Sequence, residues 1–154
     1  MTLIDCPSCT ARNRIDAAYC MRCGKPLPRI DTPASAHARA FAERERHAPF
    51  FGPFPDALDF SLASLAIMDS LIAEMWGKDG EAPGSSSWQP SAAKHTLIVN
   101  FGAYLGEVLC RHLPARWEMD PRNPQSIIAA RVVDAQGRRI NPFAQLGVRF
   151  RDGA

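Results

Sequence analysis

The chain has no long hydrophobic run. Its longest, Leu97 to Cys110, is interrupted by Asn100 and Glu107 and falls short of the roughly 20 apolar residues a membrane-spanning helix needs. The first ten residues have neither a cationic start nor an apolar stretch, so no secretory signal is read there. The expected compartment is the cytosol, where thiols stay reduced and serve as ligands more often than as disulfides. Net charge is also small, +2 over 154 residues, too little for strong non-specific attraction to nucleic acid. It is unevenly spread: +3 over 1–30, −4 over 31–100 and +3 over 101–154. Internal repeats are absent. So are a phosphate-binding glycine loop, a Gly-x-Ser-x-Gly elbow and a His-Glu-x-x-His helix, so no residue set argues for catalysis and the expectation is a non-enzymatic protein.

What the chain does have is CPSCTARNRIDAAYCMRC near its start. Cys6, Cys9, Cys20 and Cys23 form two Cys-x-x-Cys pairs separated by ten residues. Each pair closes a tight knuckle whose sulfurs converge, and two knuckles complete a tetrahedral shell suited to one Zn²⁺. Pro7 and Gly24 suit the two turns. A thioredoxin-like redox pair needs a βαβ setting that is missing here. An iron–sulfur cluster uses other spacings. Four thiolates leave no open coordination position, so the expected zinc is structural. Metal binding contributes on the order of 10–16 kcal/mol, enough to fold a module too short to bury a core.

The remaining sequence suggests a linker and a second domain. Residues 1–28 are read as the zinc ribbon, 29–57 as a linker and 58–154 as an α+β domain. Within the linker, ARAFAERERH from Ala38 is expected to form a short charged helix. Phe50, Phe51 and Phe54 follow among prolines and are expected to dock on the second domain. Ser61 is a helix cap for DFSLASLAIMDSLIAEMW, whose Leu62, Leu65, Met68, Ile72, Met75 and Trp76 recur at helical spacing. GKDGEAPGSSSWQP, holding Trp88, reads as a loop. A second, mostly buried helix is expected from about Ala92 to His112. Gly102 and Gly106 share one face of it. Each costs about 1 kcal/mol relative to alanine in a helix, which implies close approach of another element. Beyond it, Arg116–Met119 and Ser126–Val133 read as strands. A turn at Asp134–Gly137, a returning arm at Arg138–Ile140 and a helix start at Asn141-Pro142 complete the pattern. The fold expected is two main helices packed on a small antiparallel sheet, with a short C-terminal helix.

The segment CPSCTARNRIDAAYCMRCGKPL resembles the short four-cysteine zinc ribbons at the N-termini of many bacterial proteins. They share the Cys-Pro-x-Cys knuckle, a polar stretch with Asn, and an Ala-x-Tyr-Cys approach to a Cys-x-x-Cys-Gly knuckle. Thr10 stands where a glycine commonly follows the first knuckle. The rest, FSLASLAIMDSLIAEMW, NFGAYLGEVLCRHLPARWEMD and VVDAQGRRINPFAQLGVRF, is similar to an uncharacterised bacterial α+β domain, which implies a fold order but no activity.

A protein partner is the favoured expectation for such a chain, as an adaptor or regulator. A nucleic-acid contact through Arg12, Arg14, Arg22, Lys25 and Arg29, with Arg138, Arg139, Arg149 and Arg151, is the second, although only Tyr19 offers a base-stacking surface in the ribbon. A small enzyme with a groove near Glu107 is the third. Glu107 lies seven residues after Asn100 on the same helix face, with Arg111 four residues on as the natural partner for its carboxylate. His95 and His112 lack the spacing of a metal pair, and Cys110 reads as a core thiol.

Overall fold

The computed structural model describes residues 3–14, 17, 19–28, 31–47, 58–75 and 89–152. The expectations for Phe50, Phe51, Phe54, Trp76 and Trp88 lie outside them. Among these residues the fold is α+β with two small antiparallel sheets. Strands β1 (Leu3–Asp5) and β2 (Arg12–Arg14) pair antiparallel, with Ile4 opposite Asn13, and frame the cysteine module.

The larger core is built around helix α3 (Ala92–His112). Ser91 caps it by accepting the Lys94 N–H at 3.3 Å. Phe101, Ala103, Tyr104 and Val108 on it are fully buried. Helices α1 (Pro33–His47), α2 (Ala63–Met75) and α4 (Pro142–Asp152) contribute to the same core. A three-stranded sheet completes it, in the order β3 (Ala115–Glu118), β4 (Arg131–Asp134), β5 (Arg139–Ile140).

The α3 glycines are explained by close packing. A Cβ at Gly102 would lie 3.0 Å from the Phe143 Cα, and one at Gly106 would lie 2.1 Å from Trp117 Cη2. The two positions admit α4 and β3 against α3. Trp117 and Phe143 in turn sit with ring centroids 6.1 Å apart.

Helix α1 differs from expectation. It begins at Pro33 and packs against α3 with Ala34, Ala38, Phe41 and Ala42 buried. Thr32 accepts the Ser35 N–H at 3.1 Å, and Pro33 occupies the first helical position, where its missing N–H costs nothing. The linker expected over 29–57 is therefore, at 33–47, a core helix: its apolar residues fall at positions i, i+4, i+7 and i+8, which place them on one face. Two smaller differences follow. Leu62 precedes α2 instead of joining its apolar stripe and is 58% exposed. The strand expected from Ser126 begins at Arg131, after a 3₁₀ turn at Ile127–Ala129. β3 pairs with β4 only as far as Glu118 opposite Arg131, so residues 126–130 have no strand to join among the described residues. The turn at Asp134–Gly137 and the Asn141 cap of α4 are as expected, with Gly137 N–H donating to Asp134 O and Ala144 N–H to Asn141 Oδ1, both at 3.0 Å.

Candidate metal centre

The two knuckles are near-copies of one another. In the first, Thr10 N–H donates to Cys6 O at 2.8 Å and Cys6 N–H to Ala11 O at 3.0 Å. In the second, Gly24 N–H donates to Cys20 O at 2.9 Å and Cys20 N–H to Lys25 O at 2.8 Å. Both turns close through a left-handed residue, Thr10 at φ +58° and Gly24 at φ +68°. Glycine adopts that conformation freely and threonine does not. Thr10 is thus the strained member of the pair, and its hydroxyl donates back to Cys9 O at 2.7 Å.

All four cysteines are free thiols whose Sγ atoms lie within 4.8 Å of one another. Across the knuckles, Cys6 and Cys23 sulfurs are 3.7 Å apart and those of Cys9 and Cys20 3.5 Å. A tetrahedral shell with metal–sulfur bonds of about 2.3 Å has sulfur–sulfur edges of about 3.8 Å. The four cysteines are positioned to bind a metal ion, and the set fits a small zinc-binding module. Cys6 and Cys20 are buried with Leu27 in a separate minor core, against which Ile4, Ala11 and Ala17 pack.

The backbone already favours thiolate at one position. The Cys20 thiol is pulled down to about 6 by the N–H of Cys23 first, and by those of Arg22 and the Asn13 amide, against the cost of burial. At Cys9 the Ala11 N–H lowers the thiol, but burial and the neighbouring sulfurs outweigh it and push it up to about 12. Packed thiols resist ionising together unless a cation shares the site.

Asn13 is a buried support that was legible only as a letter in the ribbon pattern. It is 2% exposed. Its Nδ2 donates to Ala11 O at 2.6 Å and to Cys20 Sγ at 3.6 Å, while Oδ1 accepts the Met21 N–H at 2.8 Å. One side chain thus ties β2, the exit of the first knuckle and the entry of the second. The signal was a lone amide between two knuckles in a module that has almost no interior.

Three large apolar side chains of the ribbon are exposed. Met21, at the tip of the second knuckle, is 86% exposed, and Leu3 and Tyr19 are about half exposed. Arg12, Arg22 and Lys25 are exposed on the same module.

No family model, curated protein or solved structure matches the chain. The reading of the centre therefore rests on its geometry.

Glu107 occupies a different kind of place. It is 5% exposed, and three donors reach its carboxylate: Ser35 Oγ at 2.7 Å and Trp117 Nε1 at 3.4 Å to Oε2, and Arg111 Nε at 3.0 Å to Oε1. These come from α1, β3 and α3, so the carboxylate ties three elements together. The expected Arg111 pairing is present, and Arg111 also lies over the Phe60 ring, 3.9 Å from its centroid. Asn100 Oδ1 is 2.9 Å from His37 Nε2 of α1 instead of meeting Glu107. His112 Nε2 lies 2.8 Å from the Phe60 carbonyl, and Cys110 is a buried core thiol. His95 belongs to no metal-ligating group among the described residues. No helix among those residues is long and apolar enough to cross a membrane.

Proposed function

We propose that Cys6, Cys9, Cys20 and Cys23 hold one Zn²⁺ as a purely structural ion, and that the ribbon so folded is a protein-interaction module of a non-enzymatic adaptor or regulatory protein. Zinc supplies the charge that lets four thiolates coexist, and it closes two knuckles that have little hydrophobic core of their own. Such thiolate chemistry suits a reducing compartment such as the cytosol. The ribbon's likeness to the short bacterial N-terminal modules supports the assignment of zinc.

The observation that carries the interaction reading is Met21. A flexible, polarizable side chain sits almost fully exposed at the tip of the second knuckle, and Tyr19 and Leu3 are exposed on the same module. Exposed apolar side chains on a metal-locked frame suit a partner's surface, since the frame is ordered before it binds. A polynucleotide would want several stacking rings in a cationic channel, and Tyr19 is the one aromatic residue of the ribbon.

Capture from nuclease-treated host lysate tests the reading. The zinc-loaded full chain should retain one specific protein, and Met21→Asp and chelated protein should both lose it. Capture that disappears with nuclease treatment would instead assign the ribbon to nucleic acid, and capture indifferent to Met21→Asp would remove the ribbon from the contact.

A further inference from the structure

A groove of about 450 Å³ runs between the ribbon and the main sheet, lined by Arg14 of β2 and by Glu118, Asp120, Arg122 and Arg131. Met119 and Pro121 supply apolar wall. Its volume falls within the range of about 300–1,000 Å³ common to ligand sites. The charges in it are unequally satisfied. Glu118 stands directly opposite Arg131 in the β3–β4 register, where opposite charges normally pair. Its carboxylate instead takes a two-pronged contact from Arg139, at 2.8 and 3.4 Å. Asp120 spends Oδ1 on the backbone N–H of Arg122 at 2.9 Å. The guanidinium groups of Arg122 and Arg131 are exposed and have no carboxylate partner among the described residues.

The geometry points to this groove as the binding site for an acidic peptide segment of a protein partner. Arginine forks match carboxylates in pairs, and two of them stand here with Glu118 held by Arg139 and Asp120 turned by Oδ1 to the Arg122 backbone. The apolar wall suits the aliphatic side chains between a peptide's carboxylates. A nucleic-acid strand fits less well: the lining has no aromatic ring for stacking, and Glu118 and Asp120 would lie along a continuous phosphate backbone. Arg14 comes from the ribbon, so a bound segment would bridge the two parts of the chain.

This inference rests on the protein-interaction reading but is tested without the host partner. The probe is a fluorescein-labelled peptide of alternating Glu and Leu, titrated with the zinc-loaded full chain at low salt and followed by anisotropy. A Lys-Leu peptide and an oligothymidylate serve as comparators. Wild type should bind the Glu-Leu peptide and not the Lys-Leu one. Arg122→Glu and Arg131→Glu should each weaken binding roughly tenfold, the loss expected for a charge-assisted contact. Arg46→Glu, the same charge change on α1, should leave it unaltered. Both groove positions are exposed, and unchanged zinc content and circular dichroism would show the variants folded. Absence of Glu-Leu binding, an equal loss in Arg46→Glu, or tighter binding of oligothymidylate would each overturn the proposal. A null peptide result with lysate capture intact sinks the groove alone. Empty capture with peptide binding intact sinks the ribbon's role and leaves the groove standing.

Discussion

Thr10 and Gly24 occupy equivalent places in the two knuckles, yet only one is a glycine. A non-glycine residue in the left-handed region costs about 1–2 kcal/mol, and the extra freedom of glycine in the unfolded chain returns part of any gain. Thr10→Gly should therefore tighten apparent zinc binding several-fold, and Gly24→Thr should weaken it, both measured by chelator competition. Asn13 acts at the same scale. It donates to Cys20 and holds the second knuckle, as supporting groups around metal ligands do, and their loss typically lowers affinity about 10–100-fold. Asn13→Ala should fall in that range, and Asn13→Asp, which keeps an acceptor for the Met21 N–H but sets a buried carboxylate against the Ala11 carbonyl and the Cys20 sulfur, should lose at least as much. Protons compete for the thiolates, so affinity should drop as pH falls. The cysteines themselves were fully legible in the sequence because spacing alone sets their convergence. Asn13 was legible only as the lone amide between the knuckles, a pattern that does not say whether the amide is buried or solvated.

Among the elements, α3 carries the clearest sequence signal: its bounds, its burial and the meaning of its two glycines all follow from an apolar helix with small residues four apart. The partners that approach those glycines, Phe143 and Trp117, needed the structure. Gly106→Ala puts a methyl group into the Trp117 ring. Overpacking of this kind costs about 1–3 kcal/mol, offset by up to about 1 kcal/mol of helix propensity. A net loss of thermal stability is expected, and a gain would mean that Trp117 yields freely. Helix α1 was half legible. Prolines and small residues near its start suggested a linker, yet Thr32-Pro33 is a helix start and the alanines that look like spacer let α1 lie close on α3. Phe41→Ala should destabilise the main core by about 3–5 kcal/mol, an effect a linker helix would not show. Ser126–Ala130 misled in the other direction: Ile127 and Ile128 favour a strand, but a strand needs a neighbour and β3 has ended.

At the scale of the whole molecule, the cysteine module and the main core draw on different sources of stability. The ribbon's buried cluster is small, Cys6, Cys20 and Leu27, whereas the main core holds residues from α1, α2, α3, α4 and the three-stranded sheet. Chelation should unfold residues 3–28 and spare the rest. A fragment beginning at Asp31 should fold without metal, and one beginning at Leu58 should not, because α3 would lose the face that Ala34, Ala38 and Phe41 cover. Circular dichroism with thermal melts separates these cases. The sequence pattern could assign α+β class and order, but not how the chain divides, since that depends on which face of α1 finds a partner. All of this turns on the metal. The most direct test is elemental analysis of the purified full-length chain beside Cys20→Ser. One zinc per chain, lost in the variant, is the predicted result. Iron in place of zinc, no metal at all, or zinc retained by Cys20→Ser would contradict the account.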